Sequence, residues 1–164
     1  MTPEQKLAEL AIELPTESPT GVLSPSSVIR ANVQASIQQC RGNFVVMSAV
    51  PSVGTQLKYA GRIGDNLSVE DGFQAARLSA INAIAEMKVL LGDLSRVRQI
   101  VSVLSFMVTT ADFVEHPLVS NGASEIFHQV FGDRGRHSRG SLGLYSMGGR
   151  VPVELIVTAE IDGD

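Results

Sequence analysis

"VPVELIVTAEI", residues 151–161, is the stretch whose reading decides the fold. Side chains alternate across a strand, so Val151, Val153, Leu155, Val157, Ala159 and Ile161 point one way, and Pro152, Glu154, Ile156, Thr158 and Glu160 point the other. The first row is wholly apolar and needs a second layer to cover it. The opposite face is only half polar. A mixed surface of that kind suits water or another subunit, so Glu154 is either a solvated edge charge or part of a pocket between chains.

Working outward, the covering layer has to come from helices. Ser68, followed by Glu70 and Asp71, reads as a helix cap with acids in the first turn, where they complement the helix dipole. Phe73, Ala76, Ala80, Ile84, Met87 and Leu91 then recur at intervals of three or four, and Gly92 ends the helix. "RVRQIVSVLSFMVTT", residues 96–110, reads as a long central strand with both faces substantially apolar. A second helix carries Ala123, Ile126, Phe127, Val130 and Phe131 on one face, stops at Gly132, and has its start limited by Pro117.

Before the first long helix, "ANVQASIQQCRGNFVVMSAVP", residues 31–51, shows a partly alternating segment, a turn at Arg41-Gly42-Asn43 and a short apolar strand, which together read as a hairpin. Pro3 to Leu14 has helical spacing, and "PTESPTGVLSPSS" after it breaks every period. The expected organisation is an N-terminal helix and linker over residues 1–30 and a single domain over 31–164. The expected class is α+β, a mixed sheet with two helices packed on one face and an extra N-terminal helix.

Composition narrows the function classes. The chain has 164 residues, is 44% hydrophobic and 18% charged, and carries a formal net charge of −4. That balance describes a globular chain and opposes the broad phosphate attraction behind nonspecific nucleic-acid affinity. Aromatic residues make up only 5%, which leaves few platforms for stacking bases. No nucleic-acid partner is expected. Cys40 is the single cysteine, so no internal disulfide can form and too few thiolates exist for a structural zinc site. The apolar runs are too short to span a bilayer, and the acidic N-terminal segment lacks the pattern of an export signal. A cytoplasmic protein without membrane contact is the expectation.

Charge concentrates in one place. "RGRHSRGSLGLYSMGGR", residues 134–150, places Arg134, Arg136, Arg139 and Arg150 in what reads as a glycine-rich loop. It lacks the Gly-Lys-Ser/Thr ending of a nucleotide phosphate loop. His137 beside Arg139 is either a titrating proton carrier or an exposed loop histidine. His116 and His128 show no ligand spacing, and no metal site is expected. Asn121 reads equally as a helix cap or as a cleft residue. Ser141 has no base or elbow motif around it that would make it a nucleophile.

The stretch from about Val33 to Ile161 resembles the YjgF/RidA family, also catalogued as endoribonuclease L-PSP. The resemblance rests on the strand "VVMSAVP", the helix from Ser68, the strand "VRQIVSVLSFMVTTADF", the asparagine in "SNGASEIFHQVFG", and the spacing of an arginine from "VELIVTAEI". It implies a chorismate-mutase-like α+β fold and a homotrimer with active sites in the clefts between subunits. Arg139 falls where the family's substrate-binding arginine lies, and Glu154 where its active-site glutamate lies. Ser48 and Ala49 match the small pair after the apolar strand, and Asn121 matches the asparagine that lines the cleft. Ser141 stands where better-known deaminase members have cysteine, and their N-terminal tyrosine segment has no obvious counterpart here. "HSRGS" replaces their proline-containing approach to the arginine.

What the resemblance implies for activity is hydrolysis of 2-imino or enamine acids to 2-keto acids and ammonia, without a cofactor. Arginine offers a planar fork that can hold a substrate carboxylate bidentately, and glutamate can orient a water or relay a proton. Two other classes stay open: a non-catalytic module that binds a small carboxylate, and the ribonuclease that the catalogue name suggests.

Overall fold

The computed structural model describes residues 1–18, 21–22 and 43–162. The expected first hairpin strand, Cys40 and most of the expected linker lie outside the described residues. The elements run α1 (Pro3–Glu9), β1 (Glu17–Ser18), β2 (Gly21–Val22), β3 (Phe44–Ala49), β4 (Ser52–Val53), β5 (Gln56–Leu57), α2 (Val69–Leu91), β6 (Val97–Val108), α3 (His116–Phe131), β7 (Ser138–Leu144) and β8 (Val153–Ile161). Four strands form the main sheet in the order β3-β8-β6-β7. The architecture is α+β with a mixed sheet, as expected, and the apolar row of residues 153–161 faces the covering helices.

β8 is antiparallel to both neighbours, pairing Ala49 with Leu155 on one side and Met107 with Val153 on the other. β7 runs parallel to β6, with α3 as the crossover that a parallel pair needs. Val153, Leu155, Val157, Ala159 and Ile161 are all buried, while Glu154, Ile156, Thr158 and Glu160 are half-buried on the far face. β6 follows a less regular burial pattern because its register against β8 shifts twice, between Val97 and Gln99 and between Ile100 and Ser102.

α2 begins where the sequence puts it. Ser68 Oγ accepts from the Asp71 amide, and the Asp71 carboxylate accepts from the Ser68 hydroxyl and the Ser68 amide, a reciprocal cap whose two donors hold Asp71 below its ordinary pKa. Burial reaches almost around the helix from Ser79 to Met87, beyond the single face read from the spacing, because α2 packs against both the sheet and α3. Glycine makes that crossing close. A Cβ on Gly122 of α3 would sit 2.1 Å from the carbonyl oxygen of Phe73.

Three expectations are corrected. α1 ends at Glu9 rather than near Leu14, since Ala11 turns to φ 52° and Leu10 is left at the surface. Leu7 is buried, and Glu4 accepts from Lys88 Nζ at 2.7 Å and from the Leu94 amide at 2.8 Å. α3 starts at His116, so residues expected as a preceding loop form its first turn, with Pro117 at a position that needs no amide donor. Residues 138–144, expected as loop, form the edge strand β7. Gly140 and Gly143 mask its alternation, and pairing with β6 supplies the hydrogen bonds.

Candidate functional site

Arg139 occupies the second position of β7, level with the fully buried Val103 of β6. Residues level with each other in a ladder share a face, so Arg139 lies on the helix side of the sheet, at its edge. There its Nη1 donates to Asn121 Oδ1 at 2.7 Å and lies 3.5 Å from Ser124 Oγ. Asn121 is in the second turn of α3, which excludes the cap alternative, since Glu115 precedes the first turn. The guanidinium is exposed, and no carboxylate among the described residues pairs with it.

Ser141 follows on the same face and donates to Ser120 Oγ at 2.8 Å. Behind it, level on β6, the hydroxyl of Ser105 is fully buried and without a partner. His137 precedes Arg139 on this face, and it is not the exposed loop histidine that one reading of the sequence allowed. Its ring packs edge-on against Phe127 with centroids 5.9 Å apart, and its nitrogens reach Gly135 O at 2.7 Å and Ser124 Oγ at 3.0 Å. Burial lowers its pKa from the ordinary 6.5, the Gly135 carbonyl opposes this, and the Arg139 charge adds to the lowering.

Glu154 stands elsewhere. It pairs with Phe106 and points away from the helices, as Ser48 does one strand further on, level with Ile156. Ala49 faces the core at 3% exposure. The sequence-derived residues thus divide. Arg139, Asn121 and Ser141 meet at the β7 edge under α3, whereas Glu154 and Ser48 share the outer face, two and three strands away from β7, or about 10 and 14 Å across the sheet. Within one chain Arg139 and Glu154 do not touch. Asn82, buried in α2, donates to the carbonyls of Val50 at 2.8 Å and Ser52 at 3.0 Å and so fixes the turn that follows Ser48 and Ala49.

The outer face is apolar around Glu154. Phe44, Val46, Phe106 and Ile156 are half-buried, and Leu104 and Leu142 are 37% and 42% exposed. Ser120 and Ser124 were not in the sequence-derived set. Their only signal is that Ser120, Asn121 and Ser124 share one flank of a helix at helical spacing, beside its apolar face. Arg62 was missed as well. It clips the ends of β6 and β7 together by donating to Thr109 O and Tyr145 O, at 2.5 and 2.7 Å, and lines a cavity of about 470 Å3 with His116, Phe113 and Tyr145. Arg134 donates to the carbonyls of Ser95 and Val97, and Arg136 pairs with Asp133.

Among the described residues no cluster of three metal-ligating side chains occurs, and no helix is long and apolar enough to cross a membrane. Residues 6–148 match the family described as "YjgF/chorismate mutase-like, putative endoribonuclease". The chain belongs to this family. Protein TCP17 of Trypanosoma cruzi is 37% identical over 100 residues, 59% of this chain, and the match spans 62% of that relative's length. Among solved structures, a protein of unknown function from Agrobacterium tumefaciens is 30% identical, with TM-score 0.81 over 98% of this chain and 92% of its own. A structure from Shewanella oneidensis described as "a putative endoribonuclease" is 29% identical, with TM-score 0.83 over 98% of this chain and 100% of its own.

Proposed function

We propose that the protein hydrolyses small 2-imino or enamine acids to 2-keto acids and ammonia in clefts between the protomers of a homotrimer, without a cofactor. The observation that carries this reading is the seat of Arg139. A guanidinium pinned on one edge by Asn121 and unpaired with any described carboxylate is an anion receptor already oriented. It binds the substrate carboxylate as a fork, leaving the C=N carbon over the cleft.

Glu154 orients the water in this scheme. Water oxygen bonds to C2 while one of its protons reaches the imine nitrogen; the carbinolamine's O–H proton is then passed to the amine nitrogen as the C–N bond breaks, releasing ammonia and the keto acid. Because Arg139 and Glu154 are on opposite faces of one sheet, a ligand of a few atoms reaches both only if a second copy supplies one of them. The apolar outer face around Glu154 supports that assembly. Ser48 belongs with Glu154 on one wall; Asn121 and Ser141 belong with Arg139 on the other; Ala49 contributes only backbone. A cytoplasmic setting goes with this reading.

The test is direct. Purified protein is added to 2-iminopropionate generated in place by an amino-acid oxidase, and pyruvate release is followed. Acceleration over buffer that disappears in Arg139→Ala supports the deaminase. No acceleration, with saturable 2-keto acid binding retained, selects the non-catalytic carboxylate-binding module. RNA cleavage that persists in Arg139→Ala points to a contaminant.

A further inference from the structure

The hydrogen atoms around His137 can be assigned by elimination. Gly135 O, 2.7 Å from Nδ1, accepts only, so Nδ1 carries the hydrogen. In the neutral ring Nε2 then holds a lone pair, and Ser124 Oγ at 3.0 Å donates its single hydrogen to it. That leaves the lone pairs of Ser124 Oγ facing Arg139 Nη1. The bonds run in one direction: Arg139 to Ser124, Ser124 to His137, His137 to the Gly135 carbonyl. Gly135 is itself packed so closely under Phe127 that a Cβ there would meet the Phe127 carbonyl oxygen at 2.0 Å, so the end of the chain is anchored.

The geometry points to His137 and Ser124 as positioning residues that turn the Nη1 edge of Arg139 against α3 and leave its Nη2 and Nε hydrogens directed at the ligand. The inference rests on the reading of Arg139 as the carboxylate receptor. It accounts for the "HSRGS" approach in this chain: a histidine two residues ahead of the arginine lies on the same face of β7 and reaches the helix flank that Arg139 also touches. Burial against Phe127 keeps the ring neutral, which the direction of the chain requires, because a protonated ring would donate from both nitrogens and turn the Ser124 hydrogen away.

The experiment measures pyruvate dissociation constants by NMR titration for wild type, Ser124→Ala, His137→Phe, His137→Gln, the Ser124→Ala/His137→Phe double variant and Arg139→Ala, with thermal melts confirming that each is folded. Ser124→Ala and His137→Phe should each weaken binding about five-fold, the size of one net hydrogen bond, and the double variant should be no weaker than either. His137→Gln, whose amide oxygen can accept from Ser124, should keep most of the affinity. Ring nitrogen shifts of His137 should report hydrogen on Nδ1. If Arg139→Ala loses binding while folded Ser124→Ala and His137→Phe bind like wild type, or if their losses add in the double variant, the positioning role is wrong and the receptor reading survives. Unchanged binding in Arg139→Ala overturns both. Hydrogen on Nε2 overturns the positioning chain alone.

Discussion

Arg139 and Glu154 stand on opposite faces of the same sheet, with β6 between their strands. Neither side chain can reach the other without a second copy of the chain, and this decides how the site should be probed. Arg139→Ala and Glu154→Gln should each be inactive alone. Co-refolded in equal amounts, they should regain activity at about a quarter of the clefts, because random assembly gives each cleft one intact arginine wall and one intact glutamate wall with that frequency. Activity in the imine assay that stays at zero on mixing would argue against clefts shared between protomers.

Gly122 offers a test of the layer that holds Asn121. Its missing side chain lets α3 approach the Phe73 carbonyl, so Gly122→Ala should destabilise the fold by about 1–3 kcal/mol through overpacking. Denaturant unfolding monitored by circular dichroism measures it.

Ser68→Ala removes one half of the reciprocal cap on α2 and should cost roughly 1 kcal/mol. Ser68→Asp, which retains an acceptor at the cap, should recover most of the loss in the same unfolding experiment.

His137 makes stability depend on pH in a stated direction. Burial lowers its pKa in the folded chain, so below 6.5 the unfolded chain takes up a proton that the folded one resists. Stability should therefore fall as pH is lowered from about 7 toward 5, with nothing further contributed by this group above 6.5. In His137→Gln this part of the slope should vanish. Melting temperatures of the two proteins across that range check it; parallel curves would contradict the buried, neutral ring.

Much of this architecture was legible in the residues. The apolar row of residues 153–161 demanded a covering layer, and the Ser68 cap with its acids located α2 to the residue. β7 was illegible for a physical reason: it is a short edge strand whose two glycines erase the alternation, and only its ladder with β6 makes it a strand. The extent of α1 was overread because Leu10 and Leu14 keep helical spacing through a turn that Ala11 makes with a left-handed backbone. For the site, the family resemblance singled out Arg139 and Asn121, which do meet. The sequence said nothing of Ser124, because an i, i+3 pair of polar residues on a helix flank looks the same whether it faces water or an arginine. It left His137 between two readings because burial against Phe127 depends on a contact distant from its own strand. The opposition of Arg139 and Glu154 depends on which strand each joins, and sequence separation carries no such information.

β8 follows every other described element in the chain, yet it fills the gap between β3 and β6. During synthesis β3 therefore waits without its β8 partner until Val153–Ile161 has left the ribosome, more than a hundred residues later by sequence. A nascent chain stalled before Val153 holds two separated portions of a sheet and an uncovered apolar layer, the kind of species that chaperones bind. Cooperative folding of this domain therefore waits on Val153–Ile161, the strand that joins the two portions of its sheet.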